Sequence, residues 1–245
     1  MKHPLWGTLQ LFAKTAILGI TLTGGSLLAQ TLPLPANLIG FNTPEGEELL
    51  LESDARQDYW DLSIHFVTQV NQAYCGVASM VMVLNSIGIT APPTPDDAPY
   101  NTFTQSNLFD NPATAQVITP EVVARQGMTL DELGGVLASY PLSVSVHHAE
   151  DSSLEEFRQL AIDNLRQPDN FILINYRRRE IGQEQGGHIS PIAAYSEEGD
   201  RFLILDVARY KYPPVWVTAT DLWSAMNTLD TTSGKTRGFV LISRP

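Results

Sequence analysis

QVNQAYCGVASMVMVLNSIG, residues 69–88, decides how the rest of the chain is read. From Cys75 to Ile87 apolar side chains fall on every face of the helical repeat, the pattern of a helix buried in a core, not of one lying on a surface. Gly88 ends it, because glycine takes the left-handed conformation of a helix C-terminus without a Cβ penalty. The polar run before Cys75 is then a loop, and Cys75 opens the buried helix. A thiol there lies among backbone N–H groups that have no partner within the helix, at the positive end of its dipole, and both favour the thiolate. Gly76 is expected to leave room for a substrate to approach the sulfur.

On the N-terminal side, Thr31 to Asn42 is rich in Pro, Leu and Asn and reads as an extended entry, and Glu45 to Arg56 as a short surface helix. On the other side, Thr90 to Pro99 holds four prolines and two aspartates and must be a loop. Helices are expected from Thr119-Pro120-Glu121, from Thr129 to Ser139 with a Thr129/Glu132 capping box, and from Asp151 to Arg166 with Leu154, Phe157, Leu160, Ala161 and Leu165 at helical spacing. The period then changes. Phe171–Tyr176, Ile189–Tyr195, Phe202–Val207, Pro214–Val217 and Phe239–Ile242 read as buried strands, with Glu197-Glu198-Gly199 as a three-residue hairpin turn and Gly199 left-handed. A helical lobe carrying the nucleophile followed by an antiparallel-sheet lobe is an α+β fold, with residues 30–245 as one catalytic domain.

The first segment is set apart. Lys2 and Lys14 flank a start without acids, and Thr15 to Ala29 is apolar and small, so residues 1–29 read as a signal peptide cut near Ala29. The run falls short of the ~20 residues a spanning helix needs and is interrupted by Gly24 and Gly25. Leu27 is an awkward residue before such a cut. No lipobox cysteine follows. The expected location is outside the cytoplasm, in the periplasm. The formal charge of -12, which becomes -14 once Lys2 and Lys14 go, repels phosphate backbones, so no nucleic-acid partner is expected.

The chain has one cysteine and five histidines. An unpaired thiol in an exported protein calls for a reason beyond packing. Six residues ahead of it, Gln69 is spaced so that its amide can fold back and share an oxyanion with the Cys75 N–H, the papain-type layout. His188 follows Gly186-Gly187, which clear space around it, and opens a strand, whereas His65, His147 and His148 have no acid placed behind them. A three-residue turn puts residue 208 opposite 188, so Asp206 lies one step diagonal on the same face, where a carboxylate can orient the imidazole and stabilise its cation. Cys75 as nucleophile, His188 as base and Asp206 as its partner form the expected constellation. Arg177-Arg178-Arg179 is a basic cluster in an acidic chain, able to grip a carboxylate or to lie in solvent. No metal site is expected, since His147-His148 has no partner at ligand spacing.

CGVASMVMVLN from Cys75, GHISPI from Gly187, LILDVARYKYPPVW from Leu203 and GKTRGF from Gly234 resemble phytochelatin synthase. The likeness runs from about Gln69 to Ile242. It implies a papain-like fold and an acyltransferase acting on glutathione, in which Cys75 attacks the Cys–Gly carbonyl, releases glycine and holds a γ-glutamylcysteinyl thioester. A second glutathione, giving phytochelatin, or water then takes the acyl group. On this likeness His188 and Asp206 match the catalytic pair, Gln69 the oxyanion glutamine, and Arg178 and Arg237 arginines near the bound γ-glutamylcysteine. No cofactor is implied; a heavy-metal ion such as cadmium enters as activator or as metal–glutathione substrate, and a homodimer is allowed for. With one cysteine the chain looks like the short bacterial members, in which hydrolysis competes with transfer. A papain-like peptidase acting on peptides or leaders would use the same four residues, and a metal- or thiol-binding module is the third reading.

Overall fold

The computed structural model describes Met1, residues 31–94 and residues 98–245; the leader reading, apart from Met1, lies outside the described residues. The elements are β1 (Ile39–Gly40), α1 (Pro44–Glu52), α2 (Gln57–Ile64), α3 (Cys75–Ile87), α4 (Pro120–Gln126), α5 (Leu130–Ala138), β2 (Ser143–His148) and α6 (Leu154–Leu165). Then follow β3 (Asn170–Arg177), β4 (Gly187–Ser196), β5 (Arg201–Ile204), β6 (Val215–Thr218), α7 (Ala219–Met226), β7 (Leu229–Asp230), β8 (Lys235–Thr236) and β9 (Gly238–Ser243). Among the described residues no helix is long and apolar enough to cross a membrane.

The buried helix spans the residues its pattern requires, Gly88 at φ 75° caps it, and all of Cys75–Ile87 but Asn85 and Ser86 is buried. Thr129 and Glu132 form the expected capping box at α5: the Thr129 Oγ1 accepts from the Glu132 N–H while Glu132 accepts from the Thr129 N–H at 2.7 Å. Among the described residues seven strands form one sheet in the order β1-β6-β5-β4-β3-β9-β2, each neighbouring pair antiparallel. Along β3 the side chains alternate between two cores. Phe171 and Leu173 pack with α3, while Ile172, Ile174 and Tyr176 pack with Phe157, Ala161 and Leu165 of α6 and Leu222 of α7. Phe157 is fully buried between Phe202 and Phe239, and truncating such a ring costs about 3–5 kcal/mol.

The architecture is α+β: among the described residues six of the seven helices precede most of the strands in the chain, as expected, and helices pack on both faces of the sheet. The helix expected from Asp151 begins at Leu154, because Ser153 caps it and Ala149–Asp151 form a 3-10 turn. α2, β2 and α7 were not foreseen; β2 alternates as SVSV but is half exposed and short, which weakens the signal.

The β4–β5 hairpin corrects the turn. Ser196 pairs with Arg201, so the loop has four residues, Glu197 to Asp200, and the left-handed residue is Asp200 at φ 44°, not Gly199. Arg158 and the Tyr195 hydroxyl both donate to the Asp200 carboxylate. A bulge between Ile192 and Ala194 then takes back the one-residue shift, and the Leu205 N–H reaches the Pro191 carbonyl at 3.0 Å. Asp206 therefore comes to the place a three-residue turn would have given it, though β5 itself ends at Ile204.

Candidate active site

Among the described residues α3 starts with no side-chain cap, and its first turn carries no acid to offset its positive end. Cys75 is buried there. The Ser79 hydroxyl reaches the carbonyls of Cys75 at 2.8 Å and Ile189 at 3.2 Å and so ties the helix to β4. Gly76 does not serve substrate access as expected: a Cβ there would meet the Met128 sulfur at 2.6 Å and Ile189 at 3.2 Å, so its space is taken by packing. Burial pushes the Cys75 thiol up, but its hydrogen bond to His188, the charge of that ring, and backbone groups of Ile189 and Gly76 outweigh this and hold it below its ordinary value.

His188 is the second residue of β4 and is buried. Its Nε2 lies 2.9 Å from Asp206 Oδ1 and 3.0 Å from Ser190 Oγ, which leaves Nδ1 for the thiol. Burial and the nearby Arg178 push the His188 pKa down, and Asp206 and the thiol raise it further, for a net rise. Asp206 is fully buried, and burial alone would raise its pKa; His188 and Arg178 hold its carboxyl well below the usual carboxylate range. The Ala208 N–H also donates to its Oδ1 at 2.8 Å. The structure thus brings Cys75, His188 and Asp206 together.

Arg178 is in a different place from the one expected of a substrate-binding residue. It opens the 3-10 turn Arg178–Ile181 after β3, is 3% exposed, and donates to both Asp206 oxygens at 2.7 and 2.8 Å. Gln183 and the Tyr212 ring occupy its remaining sides. The guanidinium is committed to Asp206, because a fully buried carboxylate needs a counter-charge more than one imidazole supplies. Arg177 and Arg179 are exposed.

A cavity of about 540 Å³ opens on Cys75 and His188, with walls from Asn71, Gln72 and Ala73, from Met128 and Thr129, from Asn175, and from Asp230, Thr231, Thr232 and Arg237. Arg237 precedes β9; its Nη1 donates to the Leu229 carbonyl at 2.7 Å, Nη2 lies 3.8 Å from Asp230, and among the described residues its buried Nε has no partner. Burial holds its pKa below the ordinary value, and Asp230 opposes that. Gly187 admits the guanidinium, since a Cβ there would stand 3.2 Å from Nη2. Gln69 is buried, two residues before the Asn71–Ala73 wall. Its Nε2 donates to the Asn71 carbonyl at 2.7 Å, and among the described residues one N–H of the amide is left over and its Oε1 has no partner.

Ser190, Asn175 and the Asp230–Thr232 turn carried no sequence signal, as each is a common residue whose place follows from sheet register. His148 corrects the reading that no acid stands behind it: its Nε2 lies 2.9 Å from Asp131, which Lys235 also reaches at 2.7 Å. Among the described residues no group of three or more His, Cys, Asp or Glu could hold a metal ion.

A family profile described as phytochelatin synthase matches residues 29–239. A Lotus japonicus protein named glutathione gamma-glutamylcysteinyltransferase 1 is 35% identical over 223 residues, 89% of this chain and 43% of its own length. An Arabidopsis thaliana protein of the same name is 34% identical over 224 residues, 90% of this chain and 44% of its own. The Schizosaccharomyces pombe glutathione gamma-glutamylcysteinyltransferase is 29% identical over 213 residues, 85% of this chain and 50% of its own. The chain spans about half the length of the curated relatives it matches.

Proposed function

The chain belongs to the phytochelatin synthase family, and on that premise we propose that it is a glutathione γ-glutamylcysteinyltransferase and hydrolase with a papain-like active site. The observation that carries this is the buried Cys75–His188–Asp206 row, two of whose members line a cavity that Arg237 also lines. Its volume is in the range of small-ligand sites. A peptidase acting on long chains calls for an open groove, and a charged residue walling the cavity beside Asp230 suits a small zwitterion better.

In this reading the Cys75 thiolate adds to the Cys–Gly carbonyl carbon of glutathione. The negative charge that develops on the carbonyl oxygen faces the Cys75 N–H and the spare N–H of Gln69. The tetrahedral adduct collapses, the C–N bond breaks, and the His188 imidazolium gives its Nδ1 proton to the departing glycine amine. The thioester is then attacked by the amine of a second glutathione or by water. His188 takes the attacker's proton, and the Cys75 thiolate leaves. Asp206, held by Arg178, keeps Nε2 protonated so that Nδ1 is the atom facing sulfur. Arg237 binds the γ-glutamyl carboxylate.

No cofactor takes part. Cadmium enters as an activator or on the thiolate of a metal–glutathione substrate. From the sequence, the protein is exported to the periplasm after removal of residues 1–29, and a homodimer is its proposed assembly. Incubation of the purified protein with glutathione, with and without cadmium, followed by mass analysis, tests the reading. Glycine with γ-glutamylcysteine or longer γ-glutamylcysteinyl peptides is expected, and intact glutathione alongside cleaved α-linked peptides would favour the peptidase.

A further inference from the structure

Gln69 sits in a strip of loop whose backbone is held from two sides. Its own N–H donates to the Val207 carbonyl at 2.9 Å, which ties it to the residue after Asp206. On the other edge, the Gln105 side chain behaves like a strand neighbour. Its Oε1 accepts from the Val70 N–H at 3.0 Å and its Nε2 donates to the Thr68 carbonyl at 2.9 Å. One side-chain amide thus fixes the two residues that flank Gln69 by matching the donor and acceptor of an extended backbone. The loop needs such a hold, because Val70 is 68% exposed and gains little from packing.

The loop bearing Gln105 is itself fixed to the nucleophile's helix. Asn85 of α3 donates to the Phe103 carbonyl at 3.0 Å and accepts from the Phe103 N–H at 2.8 Å. Asn107 binds the Thr102 carbonyl at 2.9 Å and the Thr104 N–H at 2.7 Å. The helix that starts at Cys75 therefore also sets, through Asn85, Phe103 and Gln105, where Gln69 stands relative to the sulfur. An oxyanion donor loses much of its effect when it is misplaced by about an ångström.

We propose that Gln105 is a positioning residue that holds Gln69 in place for the developing oxyanion; this rests on the reading of Gln69 given above. It makes no contact with substrate and acts through the loop. Gln105→Ala is expected to lower kcat for glycine release about 10-fold with KM within about 2-fold, less than the ~100- to 1,000-fold typical of losing an oxyanion donor outright. Gln105→Glu keeps the acceptor for Val70 and sets a carboxylate against the Thr68 carbonyl. Its deficit is expected to shrink as pH falls through the carboxyl range, where the protonated acid restores both bonds.

The deciding measurement is a double-mutant cycle with Gln69→Ala. If Gln105 acts through Gln69, adding Gln105→Ala to Gln69→Ala costs less than 2-fold more; full multiplication of the two losses overturns the proposal. A second readout needs no substrate: the side-chain amide NMR signals of Gln69, assigned by their loss in Gln69→Ala, must shift or broaden in Gln105→Ala and in Gln105→Glu at neutral pH. Unmoved signals in the folded variants overturn the proposal as well. A wild type that releases no glycine sinks the glutathione reading alone and leaves the NMR result to decide this one.

Discussion

Removing Arg178 separates two roles that its sequence position allows. In the structure it is 3% exposed and bidentate on Asp206, which is fully buried. Arg178→Ala leaves that carboxylate with His188 and a backbone N–H in a fully buried site. Breaking a buried pair from one side costs about 3–5 kcal/mol. For a chain of this size each kcal/mol moves Tm by about 2–4 °C, so a fall of about 6–20 °C is expected by thermal unfolding followed with circular dichroism. The acid limb should move too. Asp206 is depressed in the folded protein, so it contributes stability above its unfolded value near 3.9, and that stability is lost as pH falls toward the lower folded value. Without Arg178 the depression shrinks, the contribution is smaller, and its loss is complete at a higher pH. In kinetics kcat should fall further than KM rises, because the damage reaches His188 and not the substrate. A Tm within about 2 °C of wild type together with a tenfold rise in KM would refute this reasoning and return Arg178 to substrate binding.

Cys75→Ser should keep the wild-type Tm to within about 2 °C and abolish glycine release, since a hydroxyl is not ionised by an imidazole matched to a thiol; more than about a tenth of wild-type turnover counts against the nucleophile. Alkylation of Cys75 by iodoacetamide should follow a thiolate inflection below the ordinary thiol value of about 8.5. In Asp206→Asn the His188 cation loses its counter-charge, its pKa falls, and the thiol inflection should move up; an unmoved inflection removes Asp206 from the pair. Arg237→Ala should raise KM for glutathione roughly 10- to 150-fold at nearly constant kcat, the effect of a lost charge-assisted contact, with Arg237→Lys recovering part. Constants equal to wild type in both variants would take Arg237 out of the site.

Much of the centre of the protein is written locally. The α3 helix, its Gly88 end and the Thr129–Glu132 cap depend on side chains within one or two turns of each other, so pattern alone places them. The buried β3, β4 and β9 strands are legible for the same reason, as continuous apolar runs. The chemical candidates Cys75, His188 and Asp206 were also readable, because a thiol at a helix start and a histidine at a strand start are local facts.

Tertiary structure decided what those residues face. Arg178 and Arg237 are equally plausible carboxylate ligands in a sequence. The turn after β3 buries one against Asp206, while the link between β8 and β9 brings the other to the cavity wall. The register of Asp206 rests on a four-residue loop and a bulge that cancel, and no local signal in the hairpin separates that pair of shifts from a single shorter turn. Ser190 and Gln105 act through partners 2 and 35 residues away, and Asn175 is placed by pairing with Gly238, 63 residues on. Ser190 reaches its partner by sharing a strand face, the other two through distant segments, and a sequence records neither the facing partner nor the strand order that supplies it. The sequence by itself determined which groups could do chemistry, since ionisation and helix propensity are properties of residues and their near neighbours. Which of them meet, and which one neutralises another, was left to the packing of the sheet, because burial sets the cost of every unpaired charge and only the complete fold sets burial.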